Sequence, residues 1–214
     1  YYANEFKKLA DPETGLNLSY GEGGNFIRTT DPAHKAAAQE FWRRCLAAGD
    51  IYTKNYQVKY CVGCELEKTD SELIDGKCPI HPTYELQLID EENYFFKLSA
   101  YAGKIEQAIS NGSFRILPAT RKHEIMQIIK DGLEDISISR PKHKINWGVP
   151  VPGDKEQVMY VWFDALTNYI NTLGWPEEKG DFEKYWVHGT PTQYCGKDNT
   201  RFQSAMWQAM LMAA

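Results

Sequence analysis

The chain has 214 residues, of which 43% are hydrophobic and 25% charged, the make-up of a globular protein with one large domain or a domain carrying an insertion. A net charge of −5 excludes a general polyanion binder, so any nucleic-acid contact has to use a local patch. No apolar run reaches the length of a membrane span and no signal peptide opens the chain, so no membrane partner and a cytoplasmic setting are expected.

Residues 1–10 read as the end of an amphipathic helix, broken by Asp11-Pro12 and Gly15. Gly21, Gly23 and Gly24 mark a turn before the short apolar segment Phe26–Thr30. Asp31 as N-cap and Pro32 at the first helical position start a helix that runs to Ala48. Its expected inner face is Ala37, Phe41, Cys45 and Leu46, and Gly49 stops it. Ile51–Tyr60 alternates as a strand, and Thr83–Asp90 reads as a second one.

Asn93–Ile109 carries a helical apolar face and ends at Gly112. After the Leu117-Pro118 break, Thr120 is placed to cap a helix through Lys130, with Ile125, Ile128 and Ile129 inward and Gly132 closing it. Asp135–Arg140 alternates as a strand, and the basic run that follows to Lys144 is explained most simply as a solvated loop. Trp147–Gly153, with two prolines, is rigid and extended. Val158–Trp162 reads as a buried strand feeding a helix Asp164–Leu173. Lys184–His188 and Gln193–Cys195 read as short strands, Gly196-Lys197-Asp198 as a turn, and Arg201–Ala213 as a helix. Alternating strands and helices from residue 135 onward predict an α/β sheet with parallel strands. The chain opens in what reads as mid-helix and stops on an uncapped apolar helix, as a piece of a longer protein would.

Between the first two strands lies CVGCELEKTDSELIDGKCPIH, Cys61 to His81. It reads Cys-x-x-Cys and then Cys-x-x-His, so each pair puts two soft ligands on one tight turn. Four thiolate and imidazole donors, Cys61, Cys64, Cys78 and His81, suit tetrahedral Zn²⁺ in a closed, structural site. Two disulfides or four unrelated reduced residues are the plainer alternatives, although five cysteines with four in this pattern fit a reducing compartment. Thr69-x-x-Glu72 inside the stretch is a capping-box pattern for one helical turn. The metal would order the tip of a strand–knuckle–strand excursion too small for its own core.

Two stretches stand at expected strand ends, where α/β sheets collect ligands. In YVWFDALTNY, the residues Trp162, Ala165, Leu166 and Tyr169 offer aromatic and small apolar groups, a lining suited to a thioether side chain; an ordinary aromatic core is the alternative. In Gly196-Lys197-Asp198, the Lys and Asp could meet an anionic and an amino group.

The set CVGC…CPIH, ENYFFKLS, ISISR, WGVPVPGD, YVWFDALTNY and GKDNTRFQ, in this order over nearly the whole chain, resembles methionyl-tRNA synthetase, a class I aminoacyl-tRNA synthetase. The resemblance implies a split Rossmann-type nucleotide-binding domain of α/β class with an inserted α+β zinc-knuckle, or connective-peptide, domain. Residues 1–30 would end the first half of the catalytic fold, 31–140 form the insertion with its knuckle, and 141–214 begin the second half. It also implies that L-methionine is joined to ATP, with Mg²⁺, as methionyl-adenylate and then transferred to tRNA(Met). Residue by residue, it assigns Trp162, Ala165 and Tyr169 to the methionine pocket, with Leu166 where some members have Pro. Asp198 would hold the substrate amino group with Lys197 beside it, and Arg140 would serve the adenylate step. Gln203 stands where many members have a His that contacts the methionine side chain. The family's ATP motifs and anticodon-binding helices would lie outside these residues, so the chain by itself is expected not to catalyse ATP–pyrophosphate exchange. A different class, a zinc-ribbon nucleic-acid-binding module without catalysis, draws on the knuckle and on Arg115, Arg121, Lys122, Lys130, Arg140, Lys142 and Lys144, but leaves the acidic net charge and the α/β second half without a purpose.

Overall fold

A computed structural model describes residues 2–17, 26–64, 66–68 and 72–214. The glycine turn at Gly21, Gly23 and Gly24, and Thr69 of the capping box, lie outside them. The chain divides into two compact units, Tyr1–Phe41 with Val161–Tyr194, and Trp42–Tyr160 with Cys195–Ala214.

In the first unit, helix α1 (Tyr2–Lys7) and a 3-10 turn (Lys8–Ala10) form where a helix end was expected, and they bury no residue. Asp11 ends them, its carboxylate accepting from the N–H groups of Glu13 and Thr14. Helix α2 (Pro32–Ala47) starts after Asp31, whose carbonyl accepts from Lys35 N–H. The Asp31 carboxylate turns outward instead of capping the helix and accepts from Arg28 N–H at 3.1 Å. Helices α5 (Val161–Ala165) and α6 (Asn168–Asn171) replace the expected single helix. The Thr167 hydroxyl donates to Asp164 O at 2.6 Å, and this local bond competes with helical continuation. The expected strand Lys184–His188 is instead a π-helical turn, Phe182–Val187, in which Phe182 and Trp186 stack four residues apart. Gln193–Cys195 has no regular structure. Apolar burial in this unit centres on Phe41, which meets Phe163 edge-on at 6.2 Å and Trp175 at 5.5 Å.

The second unit is built on antiparallel sheets. β1 (Ile51–Cys61), β2 (Leu66–Lys68), β3 (Gln87–Phe96) and β4 (Ile136–Ser137) pair in the order β2-β1-β3-β4. β5 (Ser139–Pro141), β6 (Pro150–Val151) and β7 (Asp154–Met159) pair as β5-β7-β6. All strand pairs among the described residues are antiparallel, so the parallel sheet predicted from residue 135 onward is not what these residues form. The segment 135–140 was expected to be one strand. Ile138, fully buried, divides it into β4 and β5, which join different sheets.

The largest difference from expectation is Asn93–Ile109. Its first four residues extend β3, and the helix begins only after a 3-10 turn, as α3 (Ala102–Asn111). Phe95 and Phe96 fit a helical apolar stripe and a half-buried strand equally well; pairing with Ile51 and Tyr52 of β1 decides it. The Gly112 stop holds, with φ +84. α4 (Ala119–Asp131) contains Thr120 rather than being capped by it: Pro118 O accepts from Arg121 N–H at 3.0 Å, and Thr120 is exposed. Ile125 and Ile129 are buried as expected, but Ile128 only partly.

The strand expected at Val158–Trp162 ends earlier, at Met159, and Trp162 lies on α5. The C-terminal helix forms as a π-helical segment, Phe202–Met206, and then α7 (Trp207–Ala213); of its expected apolar face, Phe202, Ala205, Met206, Ala209 and Met210, all are buried except Phe202, which is half-buried. At the end of α2, Trp42 and Cys45 are buried while Leu46, expected inside, is 44% exposed. Gly49 closes the helix at φ +81, where Asp50 N–H returns to Cys45 O at 3.0 Å. Two polar fastenings complete the unit. The Asp135 carboxylate accepts from Ser99 N–H at 3.1 Å, the Ser99 hydroxyl at 2.6 Å and the Tyr52 hydroxyl at 2.9 Å. Lys144, expected in a solvated loop, forms an ion pair with the buried Glu91.

Candidate functional site

The four metal-ligand candidates converge. Cys61 ends β1, a tight turn leads to Cys64, and Cys61 pairs with Leu66 of β2, which folds the chain back. Ile74 and Lys77 exchange two 3.0 Å backbone bonds around Asp75 (φ +51) and Gly76 (φ +73), a two-residue hairpin that returns the chain to Cys78. The Asp75-Gly76 pair is itself a local hairpin signal in the sequence. Gly63 is required by the site itself, because a Cβ there would stand 2.6 Å from Cγ of His81. The His81 ring stacks on Tyr84 with centroids 5.7 Å apart.

One donor atom from each of Cys61, Cys64, Cys78 and His81 lies within 4.8 Å of the others. Cys64 Sγ is 3.5 Å from Cys78 Sγ and 3.2 Å from His81 Nδ1, and Cys61 Sγ is 3.8 Å from the same nitrogen. Ligands about 2.3 Å from a tetrahedral ion stand roughly 3.8 Å apart, so the donor set can hold an ion such as zinc. Burial opposes ionisation of Cys78, but N–H groups of His81 and Ile80 and bonds from Cys64 and Cys61 overcome it and bring the thiol down to about 6. Cys64 is pushed up to about 11 by burial and by Cys78 and Cys61. The bonds to Cys78 favour its thiolate, the charge state that ligation needs. Cys45 contrasts with these: burial raises its thiol strongly, and it is a packed core group as the sequence implied.

The expected substrate-pocket residues fall in two groups. In the first unit, Trp162 and Ala165 are half-buried on α5, Leu166 is buried just after it, and Tyr169 is half-buried on α6. Tyr169 lines a cleft of about 360 Å³ together with Leu173, Tyr185, Trp186, Pro191 and Gln193. In the second unit, Lys197 and Asp198 are exposed on a 3-10 turn (Lys197–Asn199), Gln203 is buried in the π-helical segment, and Arg140 is half-buried on β5. Arg140 Nη1 donates to Ser137 Oγ at 2.8 Å and to Ser139 O at 2.6 Å.

One pairing escaped the sequence. His34 Nε2 lies 3.3 Å from Asp164 Oδ1, 130 residues away, with both side chains buried. Burial raises Asp164 above the ordinary carboxylate range, and His34 partly opposes this. The signal was present in part: position 34 continues the Ala37, Ala38, Phe41 stripe of α2, where a histidine is a polar group in need of a partner.

Among known proteins, the family described as tRNA synthetases class I (M) matches residues 14–87 and 84–214. A methionine–tRNA ligase of Mesorhizobium japonicum is 42% identical over 214 residues, covering 96% of this chain and 40% of that protein. A chloroplastic/mitochondrial methionine–tRNA ligase of Arabidopsis thaliana is 40% identical over 203 residues, covering 93% of this chain and 32% of that protein. The crystal structure of Mycobacterium tuberculosis methionyl-tRNA synthetase bound by methionyl-adenylate superposes with a TM-score of 0.79 at 39% identity, covering 98% of this chain and 40% of that one. The chain thus spans 40% or less of the length of these relatives. Among the described residues, no helix is long and apolar enough to cross a membrane.

Proposed function

The chain belongs to the class I tRNA synthetases of the M type, and from this premise we propose that its gene product is a methionine–tRNA ligase. It activates L-methionine with ATP and Mg²⁺ to methionyl-adenylate, releases pyrophosphate, and transfers methionine to tRNA(Met) in the cytoplasm. The observation that carries this reading is the 39% identity over 98% of the chain to a synthetase bound by methionyl-adenylate.

In this reading, residues 1–30 end the first half of a split Rossmann-type catalytic fold, 31–140 form the α+β connective insertion, and 141–214 begin the second half. Trp162, Ala165, Leu166 and Tyr169 give methionine an apolar, aromatic lining. An aromatic ring against a thioether sulfur contributes about 0.3–1.5 kcal/mol per contact. Asp198 pairs with the substrate ammonium group, Lys197 adds positive charge beside it, and Gln203 offers an amide to the methionine end of the pocket. Arg140 answers the negative charge of the adenylate. Cys61, Cys64, Cys78 and His81 hold Zn²⁺, which orders the tip of the insertion and takes no part in the chemistry. That tip, in turn, helps to place the tRNA acceptor end.

Isothermal titration of methionine into the full-length gene product tests the pocket. Trp162→Ala is expected to weaken binding about tenfold or more, the loss of a large aromatic contact surface. An unchanged affinity removes the pocket assignment.

A further inference from the structure

Arg140 is a half-buried cation at the point where the chain leaves one sheet and enters another. Its Nη1 donates to Ser137 Oγ at 2.8 Å, to Ser139 O at 2.6 Å and, at the limit, to Ser137 O at 3.5 Å. Its guanidinium carbon lies 4.8 Å over the centroid of the Tyr160 ring. Among the described residues no carboxylate pairs with it, and its remaining nitrogens have no hydrogen-bond partner.

The sheet register explains this setting. Arg140 stands opposite Val158 on β7, and Tyr160 follows two residues later on the same face. Tyr160 N–H donates to Ile138 O at 2.8 Å, so the ladder continues to the ring's own residue and fixes its place. A diagonal neighbour across an antiparallel pair is within reach of a long side chain. Bonds to one nitrogen pin one end of the guanidinium, and a ring beneath it fixes its plane. Together they set the direction in which the unpaired N–H groups point, and a flexible side chain gives up its rotamer freedom before a ligand arrives.

We propose that Ser137 and Tyr160 are positioning residues for Arg140, holding its free donors ready for an anionic ligand. The inference rests on the assignment of Arg140 to the adenylate step. Tyr160 acts through its ring face, because the contact is to the π-system; Ser137 acts through its hydroxyl.

ATP–pyrophosphate exchange by the full-length gene product provides the test. Tyr160→Leu is expected to lower kcat about five- to thirty-fold, the range of a partly desolvated cation–π contact, with the KM for methionine unchanged. Tyr160→Phe keeps the ring and stays within about twofold of the parent. Ser137→Ala, which removes one charge-assisted bond, lowers kcat roughly tenfold. The Arg140→Ala, Tyr160→Leu double variant is no slower than Arg140→Ala, since the ring has nothing left to orient. An unchanged methionine KM also reports that each variant is folded. Equal damage from Phe and Leu at 160, or additive losses in the double variant, overturns the inference while Arg140 keeps its role. An Arg140→Ala enzyme with full exchange activity overturns both.

Discussion

Around the metal ligands the apolar side chains face water: Val62, Ile74, Ile80 and Tyr84 are 48%, 65%, 69% and 53% exposed. On α5, α6 and the turn between them, Phe163, Leu166 and Ile170 are essentially fully buried, at 0–2%. Both stretches are short and irregular, but they are ordered by opposite means. Among its described residues the knuckle has almost no apolar interior, and its four candidate donor atoms converge on one point. The helical stretch has no cross-link and depends on an aromatic cluster around Phe41. A metal-held segment is therefore an all-or-none element, whereas a packed one loses stability in proportion to what is removed.

Metal removal gives the largest contrast. Chelation, or Cys61→Ser, is expected to abolish the dispersed amide resonances of residues 61–81 while those of 161–175 persist. Structural zinc contributes about 10–16 kcal/mol of apparent binding free energy in small zinc-finger peptides, far more than the tip's own packing can replace. Unchanged NMR spectra after chelation would show that the knuckle is held by something else.

Phe163→Ala attacks the other side of the comparison. Truncating a fully buried Phe costs about 3–5 kcal/mol, measured by denaturant unfolding, and the knuckle resonances should be unaffected. A loss below about 1 kcal/mol would mean that the cluster is not what orders α5 and α6.

Asp135→Asn is the smallest and lies between the two mechanisms, a polar clasp without a metal. Burial opposes its ionisation, but the Ser99 and Tyr52 hydroxyls, Ser99 N–H and Lys54 hold the carboxyl below its ordinary value of 3.8. A carboxyl lowered in the folded state stabilises above its unfolded value and loses that contribution as pH falls through the folded one. The substitution is thus expected to cost about 1–2 kcal/mol at neutral pH, and the difference should shrink as the pH falls below 3.8. A cost that stays constant down to acid pH would assign the effect to shape instead of charge.

The same contrast separates what could be read early from what could not. The ligand quartet depends on residues that are close in the chain, and its spacing was legible. So were the start of α2 at Pro32, its end at Gly49 and the Gly112 stop of α3, because a proline at the first helical position and left-handed glycine turns are local chemistry. Asn93–Phe96 was misread because its apolar residues satisfy two periods at once, and only β1, some forty residues earlier, selects the strand. Lys184–His188 was misread for a related reason: Phe182 and Trp186, outside or inside the expected strand, stack only when the backbone coils. Trp162, Ala165, Leu166 and Tyr169 were expected beside a strand that reached Trp162, but the strand stops at Met159 and these residues lie on α5, just after it and on α6, which only the packed backbone decides.

By itself, then, the sequence determined the candidate donor quartet, the helix ends marked by Pro32, Gly49 and Gly112, and the family. Each of these is written in residue types at short or fixed spacing. Tertiary structure decided the rest. It set the antiparallel pairing of every described strand, the burial of His34 against Asp164 across 130 residues, and the seat of Arg140 on Tyr160. These are pairings between distant segments, and a single chain offers many partners for a strand edge or a buried polar group. Only the packed fold, by burying one set of partners and excluding water from it, makes a single choice favourable.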